Sequence, residues 1–388
     1  MRPPSFRQLP PGSGPLRVLV VGAGAMARLW LRAILASPDT ELAGVVDLVP
    51  AAAETLVRRA GVPGVPTGHD LAALVAATRP DAVVDVTVPE AHLPVTLQAL
   101  SLGLPVLGEK PVAATVPEAL RLAAASEAAG ELFMVSQSRR YHRHLAAFRV
   151  RARLLGRHGI LTTDFFRAPR FGGFRETMAQ PLLLDMAIHA FDTARWFLDA
   201  EPVSVRCESY NPSWSWYAGD AAATAVFEMT GGTRYVYNGS WCSPGLETSW
   251  NGAWRLSGEL GSVSWDGEHP PEAEFRDADA VPLVEGGNGL EACGPEGVAG
   301  ALAEFVHALR TGVTPSGEVH GNVLSLAMVS AAVASAHTDR RVHIESLLDE
   351  ALTEALTVAT GPEAARLRAW PSAGEALTVT PRGLHRAG

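Results

Sequence analysis

The fold is decided by the stretch LRVLVVGAGAMARLWLRAILASPDTELAGVVD, residues 16–47. Residues 16–21 form a near-continuous apolar run, as in a strand buried on both faces. The pattern Gly22-x-Gly24-x-x-Ala27 follows at once and opens a helix expected over 25–36, ending near Ser37-Pro38. A second strand, 41–47, ends on Asp47. Gly22 permits a tight turn, and Gly24 lets the backbone approach a pyrophosphate at the positive end of the helix. Ala27 permits close packing of helix on strand. Asp47, twenty residues beyond Ala27, is placed to accept hydrogen bonds from ribose hydroxyls. The plainer alternative is a glycine-rich turn in an unrelated flavodoxin-like domain.

Outward from this stretch the alternation continues to residue 138. Helices are expected at 50–60, 69–78, 91–102 and 116–129, with strands near 64–67 and at 81–88, 104–108 and 131–138. Apolar strands alternating with helices indicate an α/β, doubly wound parallel sheet covered on both faces. Residues 16–140 therefore read as an NAD(P)-binding Rossmann domain, preceded by a leader (1–15) whose composition suggests disorder. After 140 the texture changes. A helix at 141–156, a strand at 160–166 and a helix at 182–198 lead into strands at 202–209, 220–229, 233–241, 254–258 and 261–266. Turn signals at Gly231-Gly232 and Gly258–Gly261 make an antiparallel sheet the natural reading. Residues 267–296 read as a surface loop, 298–311 and 320–337 as helices, and 340–345 as a short segment. The second, α+β domain is thus expected over 141–345, with 346–388 as a C-terminal appendage.

The 388 residues are 47% hydrophobic and 19% charged, ordinary for a globular enzyme. A net charge of −9 disfavours nucleic acid as a partner, since phosphate neutralisation needs clustered Lys and Arg. The arginines between Arg139 and Arg157 read as a solvated helix face rather than a nucleic-acid surface. Cys207, Cys242 and Cys293 are widely spaced and odd in number, which suits neither a disulfide framework nor a zinc site, and does suit a reducing compartment. The N-terminal residues lack a signal peptide's apolar core, and no unbroken run approaches the ~18 apolar residues of a membrane helix. A soluble, cytoplasmic protein without a membrane partner is expected. Six of the nine tryptophans lie between 214 and 265; they read as a sheet face buried against a helix or partner subunit more readily than as a sugar site.

Two further motifs carry chemistry. GEKP (108–111) follows the fifth strand, at the edge of the sheet where ligands bind in such folds. Lys110 there is able to donate to a substrate hydroxyl while Glu109 fixes it or touches the cofactor ribose; by itself, Glu-Lys-Pro is more often a surface turn. LLLDMAIHAFDTARWF (182–197) places Asp185, His189 and Asp192 at i, i+4 and i+7, one polar stripe on an apolar helix. Asp185 and His189 have the reach of a base and its orienting carboxylate; a helix-start acid and a satisfied core histidine are the alternative. His142 and His144 share no helical face, so no metal site is read there.

Together these motifs resemble the glucose–fructose oxidoreductase/inositol dehydrogenase/rhizopine-catabolism (Gfo/Idh/MocA) family over about residues 16–345. The family's glycine turn matches Gly22, Gly24 and Ala27, and its Thr-Pro-Asn stretch with a following His matches Val88-Pro89-Glu90 and His92. Its Glu-Lys-Pro run matches 99–111, and its Asp-x-Gly-x-His-x-x-Asp run matches 181–192. Departures are Glu90 in place of Asn, which alters one cofactor contact, and Pro181-Leu182 in place of Gly-Gly, which implies a reshaped substrate pocket. The resemblance implies a Rossmann domain plus a C-terminal domain with a large, open, mainly antiparallel sheet that forms a homo-oligomer interface in a dimer or tetramer. It implies a nicotinamide cofactor, expected to be held by Gly22, Gly24, Ala25, Met26, Asp47, Thr87, Pro89, His92, Glu109 and Lys110; Asp47, followed by Leu48-Val49-Pro50 with no adjacent Arg or Ser to meet a 2′-phosphate, favours NAD over NADP. Lys110, Asp185 and His189 form the implied catalytic group, acting on a secondary hydroxyl of a sugar, cyclitol or related polyol without a metal; Asp192 is an orienting or structural acid. Relatives that return the hydride, giving epimerisation, elimination or glycoside cleavage, leave that outcome open. So do a cofactor-sensing regulator and a scaffold subunit.

Overall fold

The structure, a computed structural model, describes residues 6–10, 12–277 and 294–377. They form two compact units. The first comprises the described residues up to Ser138, with Pro295–Val323 and those from Asp349 onward; the second comprises the described residues from Arg139 to Gly294, with Leu324–Leu348.

In the first unit six strands are all parallel: β1 (Leu16–Val21), β2 (Thr40–Val46), β3 (Thr67–Gly68), β4 (Ala82–Asp85), β5 (Val106–Gly108) and β6 (Phe133–Val135). Their order, β3-β2-β1-β4-β5-β6, is the doubly wound arrangement whose ligand crevice lies beyond the strand ends where the order reverses, between β1 and β4. Val18, Leu19 and Val20 are fully buried, each contributing about 1.5–3 kcal/mol by leaving water. The intervening helices are fixed by local chemistry. Asp70 caps Leu71–Thr78 by accepting from the Ala73 N–H at 2.9 Å. Thr115 and Glu118 form a reciprocal cap on Val116–Ala129, and Gly130, left-handed at φ 65°, ends that helix.

The sequence reading puts 298–311 in the second domain and 346–388 in an appendage; helix Gly297–Thr311 and residues 349–377 pack with the first unit. Helix Gly297–Thr311 packs on Ala27–Ala36, and Gly361–Ala369 packs on Val116–Ala129. The reason is apolar: Leu302, Phe305, Leu309, Ala364 and Leu367 are buried, so neither helix is stable left in solvent. Residues 6–10 of the expected disordered leader are also held, by Arg7 N–H to Gly130 O and Leu9 N–H to Leu309 O, both 2.8 Å.

The second unit carries eight strands: β7 (His158–Phe166), β8 (Pro202–Tyr210), β9 (Ala222–Met229), β10 (Arg234–Ser240), β11 (Ala253–Gly258), β12 (Gly261–Trp265), β13 (Glu272–Phe275) and β14 (Val342–His343). Their order is β13-β12-β11-β7-β10-β9-β8-β14, and only β7–β10 is parallel. β13 lies where a loop is expected, because its alternating Glu and Ala residues pair along β12 with little burial; Cys293 and most of the rest of that loop lie outside the described residues. The helix expected over 141–156 is three pieces, a 3-10 turn Ser138–Tyr141, helix Arg143–Ala152 and a 3-10 turn Arg153–Leu155, closed by Gly156 at φ 70°. Phe191 packs edge-on against Phe227 and Tyr237, with ring centroids 4.8 and 5.3 Å away. Trp241, Trp254 and Trp265 are buried as expected, whereas Trp214 and Trp250 are exposed.

One described helix, Val319–Thr338, is long and apolar enough to cross a membrane by length and composition, and most of it is buried inside the protein. A search for unbroken apolar runs passes over it because His320, Asn322 and several serines interrupt it. It serves as a core helix.

Candidate active site

The turn after β1 meets the requirements of a dinucleotide cradle. A Cβ on Gly22 would stand 2.8 Å from the Val86 carbonyl oxygen, and its φ is +102°, so only glycine lets β1 and the strand beside it end this close together. A Cβ on Gly24 would meet nothing within 4 Å, leaving open space over the turn. Helix Ala27–Ala36 starts at Met26 with no side-chain cap and no acid in its first turn. Its first N–H groups therefore have no capping side chain, which suits an incoming anion. Asp47 accepts from the Ala23 N–H (2.7 Å) and the Val49 N–H (2.8 Å), tying the end of β2 to the glycine turn. These features fit a bound dinucleotide.

The other first-unit residues cluster at the same edge, after β4 and β5. Asp85, wholly buried, is missing from the sequence-derived site because it closes the otherwise apolar run of β4; an acid in such a run is its one signal. Its carboxylate accepts from the Thr87 hydroxyl (2.6 Å), the Thr87 N–H (3.1 Å) and the Thr96 hydroxyl (3.3 Å). Burial pushes its pKa up, against the opposing pull of His92 and these donors. His92 is buried, with ring nitrogens 2.7 Å from the Pro111 carbonyl oxygen and 3.2 Å from that of Thr87. It therefore ties the start of helix Pro89–Ser101 to the Glu-Lys-Pro loop, where the Lys110–Pro111 peptide is cis. Glu109 is likewise buried, accepting from Trp30 Nε1 (2.7 Å) and the Lys110 N–H (3.1 Å). Burial raises its pKa over the lowering effect of those donors. Glu109 and His92 thus act on the loop that carries Lys110.

In the second unit the Asp185–His189 stretch is not one regular α-helix. Leu182–Ala187 is a π-helix that passes into the α-helix Ile188–Leu198, a local widening common at functional sites. Asp185 and His189 are partly exposed on this junction, whereas Asp192 is buried. Arg175 Nε donates to Asp185 Oδ2 at 2.6 Å, a partner that the sequence pattern of 182–197 does not contain because it lies on a separate short helix, Phe174–Thr177. Asp192 is held in bidentate fashion by Arg140 (2.6 and 2.7 Å) and by the Ser325 hydroxyl (2.6 Å). Ser325 also accepts from Arg195, at 2.7 Å. The stripe thus splits: Asp192 is locked into packing, and Asp185 and His189 remain at a surface. Lys110 belongs to the first unit, Asp185 and His189 to the second.

Comparison with known proteins agrees with this architecture. Residues 16–137 match the NAD-binding Rossmann-fold model of the Gfo/Idh/MocA oxidoreductase family, and 119–264 match the model of that family's C-terminal domain. The inositol 2-dehydrogenase of Rhizobium meliloti is 27% identical over 343 residues, covering 85% of this chain and 99% of that protein. Inositol 2-dehydrogenase 4 of Saccharopolyspora erythraea is 35% identical over 49% of this chain and 57% of its own length. Among solved structures, the WlbA dehydrogenase of Bordetella pertussis, in complex with NADH and UDP-GlcNAcA, superposes with a TM-score of 0.74. It is 20% identical over 86% of this chain and 99% of that one, a likeness of fold. With the glycine turn, the Glu-Lys-Pro loop and the Asp185–His189 helix in place, the chain belongs to the NAD-binding Gfo/Idh/MocA oxidoreductase family.

Proposed function

We propose that this enzyme is an NAD-dependent dehydrogenase that oxidises a secondary hydroxyl of a sugar, cyclitol or related polyol, or runs the reverse reduction. The observation that carries this is the pair Asp185 and His189 left partly exposed on a π-to-α junction; the relatives named as inositol 2-dehydrogenases support the substrate class. Bound NAD supplies the hydride acceptor. His189 takes the hydroxyl proton as the carbinol is oxidised, and Lys110 steadies the negative charge developing on that oxygen. Asp185, itself paired with Arg175, orients His189 or holds a neighbouring hydroxyl. Thr87, Pro89 and the turn residues Ala25 and Met26 line the cofactor's path at the strand ends.

NAD is preferred to NADP, because a carboxylate at Asp47 would repel a 2′-phosphate. The open sheet of β7–β14 serves as the interface of a homo-oligomer, and the buried, unpaired Cys207 and Cys242 suit a cytoplasmic setting. The deciding experiment is a panel of sugars, cyclitols and polyols assayed with NAD and with NADP for the absorbance of reduced nicotinamide. Product formed without net reduced cofactor would instead favour a hydride-returning epimerase or lyase, and absence of turnover with every compound would count against the reading.

A further inference from the structure

Within the second unit, His189 lines a small cavity together with Arg139, Thr163, Tyr237, Asn251 and Trp254. Its volume is about 10 Å³, room for one water-sized group and not for a sugar ring. The cavity is firmly built. Trp254 Nε1 donates to the Asn251 carbonyl (2.7 Å), and Asn251 Nδ2 donates to the Gly267 carbonyl (2.8 Å). Asn251 Oδ1 in turn accepts from Arg139 at 3.3 Å, and Arg139 also donates to the Trp250 carbonyl.

The chemistry of the lining is one-sided. Arg139 is partly buried, and no carboxylate among the described residues pairs with it; burial pushes its guanidinium down to about 10. Tyr237 is wholly buried, and its hydroxyl has no hydrogen-bond partner among the described residues. The Thr163 hydroxyl is equally buried and likewise has no hydrogen-bond partner among the described residues. Buried polar groups are ordinarily satisfied. A water molecule would serve the hydroxyls but leave the guanidinium charge without a counterpart, whereas an anionic oxygen serves both.

We propose that this cavity is a small-anion subsite, and that in turnover it takes one oxygen of a carboxylate carried by the substrate, which narrows the substrate class to polyhydroxy acids. The substrate half of this rests on the dehydrogenase reading above. A carboxylate anchored at Arg139 and Tyr237 fixes the carbon chain beside His189, so the hydroxyl nearest the acid is the one presented for oxidation. A phosphate group is too large for the space, and a neutral hydroxymethyl group leaves Arg139 uncompensated.

The test uses matched substrates that differ only in carboxylate against hydroxymethyl, assayed with NAD on the wild-type protein, Arg139→Gln and Tyr237→Phe. The acid should be preferred in kcat/KM by at least about tenfold, from the worth of a charge-assisted pair. Arg139→Gln should shrink that preference by about 10–100-fold through KM. Tyr237→Phe, which removes one oxygen and keeps the core filled, should move it the same way by several-fold. Bromide should give an anomalous diffraction peak between Arg139 and Tyr237 and should raise KM for the acid competitively. Neutral polyols turned over as well as the acids would overturn the proposal while leaving the dehydrogenase reading intact. A bromide peak without acid preference would mean an adventitious ion only, and would overturn it equally. If no compound of either class reduces NAD, the dehydrogenase reading itself falls, and the carboxylate assignment with it.

Discussion

Asp47 accepts a hydrogen bond from the backbone N–H of Ala23 at 2.7 Å, so the acid that follows β2 is tied directly to the glycine turn after β1. The same carboxylate has two tasks, bracing the turn and repelling a 2′-phosphate. Asp47→Ala should therefore weaken NAD binding and also narrow the gap between NAD and NADP. Asp47→Asn keeps the acceptor oxygen for Ala23 while removing the charge, and should narrow the gap with less loss of NAD affinity. Fluorescence titration of both variants with both cofactors checks this, and tighter binding of NADP by the unaltered protein would refute the assignment.

Catalysis should depend on His189 and Lys110 without cofactor affinity following. Removing a general base typically costs about 10²–10⁴-fold in rate. His189→Ala and Lys110→Ala should each lose most turnover on a verified substrate, with the dissociation constant for NAD nearly unchanged. Near-normal turnover in both would make the polar stripe structural. Loss of NAD binding in either would assign that side chain to the cofactor site or to folding.

Much of this was legible in the sequence because it rests on short-range chemistry. The run before Gly22, the spacing to Asp47 and the helix stop at Gly130 depend on residues near in sequence. The parts that escaped reading depend on distant partners. Asp85 looks like one polar residue in a strand until Thr87, Thr96 and His92 are brought to it. Arg175 lies ten residues before Asp185, on a four-residue helix, Phe174–Thr177, too short to leave a periodic signal. The π-helix at Leu182–Ala187 is invisible to a 3.6-residue pattern, because the apolar spacing of 182–197 satisfies both helices equally well. Chain order puts helix 298–311 with the second domain and leaves 346–388 as an appendage, whereas buried leucines set Gly297–Thr311 and Gly361–Ala369 with the first unit.

His320 gives a pH signature for the first unit. It is buried between Glu318 (2.7 Å) and Glu127 (2.8 Å), and Glu127 is also held by Arg366 and by Trp370 Nε1. Burial alone would push the imidazolium down, but the two carboxylates outweigh it and push the pKa up to about 10. A folded pKa above the unfolded value of about 6.5 means that the stabilisation is complete below pH ~6.5 and is lost as pH rises toward about 10. His320→Gln should therefore lower stability by about 3 kcal/mol at pH 6, with little difference from the parent protein near pH 10. Denaturant melts of both proteins across that range check the convergence; a gap that stays constant with pH would show that His320 is buried uncharged.

Gly22 and Gly24 lie two residues apart in one motif, yet the structure separates their roles, and alanine substitution should show it. At Gly22 a Cβ meets the Val86 carbonyl oxygen at 2.8 Å with backbone φ at +102°. Gly22→Ala must therefore either strain the turn or push the strand ends apart, and the melting temperature should fall along with NAD affinity. At Gly24 the added methyl meets nothing within 4 Å, so the fold has no reason to object. That open space is where a pyrophosphate must approach the N–H groups at the start of helix Ala27–Ala36. Gly24→Ala should leave the melting temperature of the cofactor-free protein unchanged while NAD binds about tenfold or more weakly, the consequence of holding the phosphate off its donors. Differential scanning fluorimetry with and without NAD reads both quantities in one experiment. A Gly24→Ala protein that melts as the parent does and gains the same stabilisation from NAD would place the pyrophosphate somewhere other than over this turn.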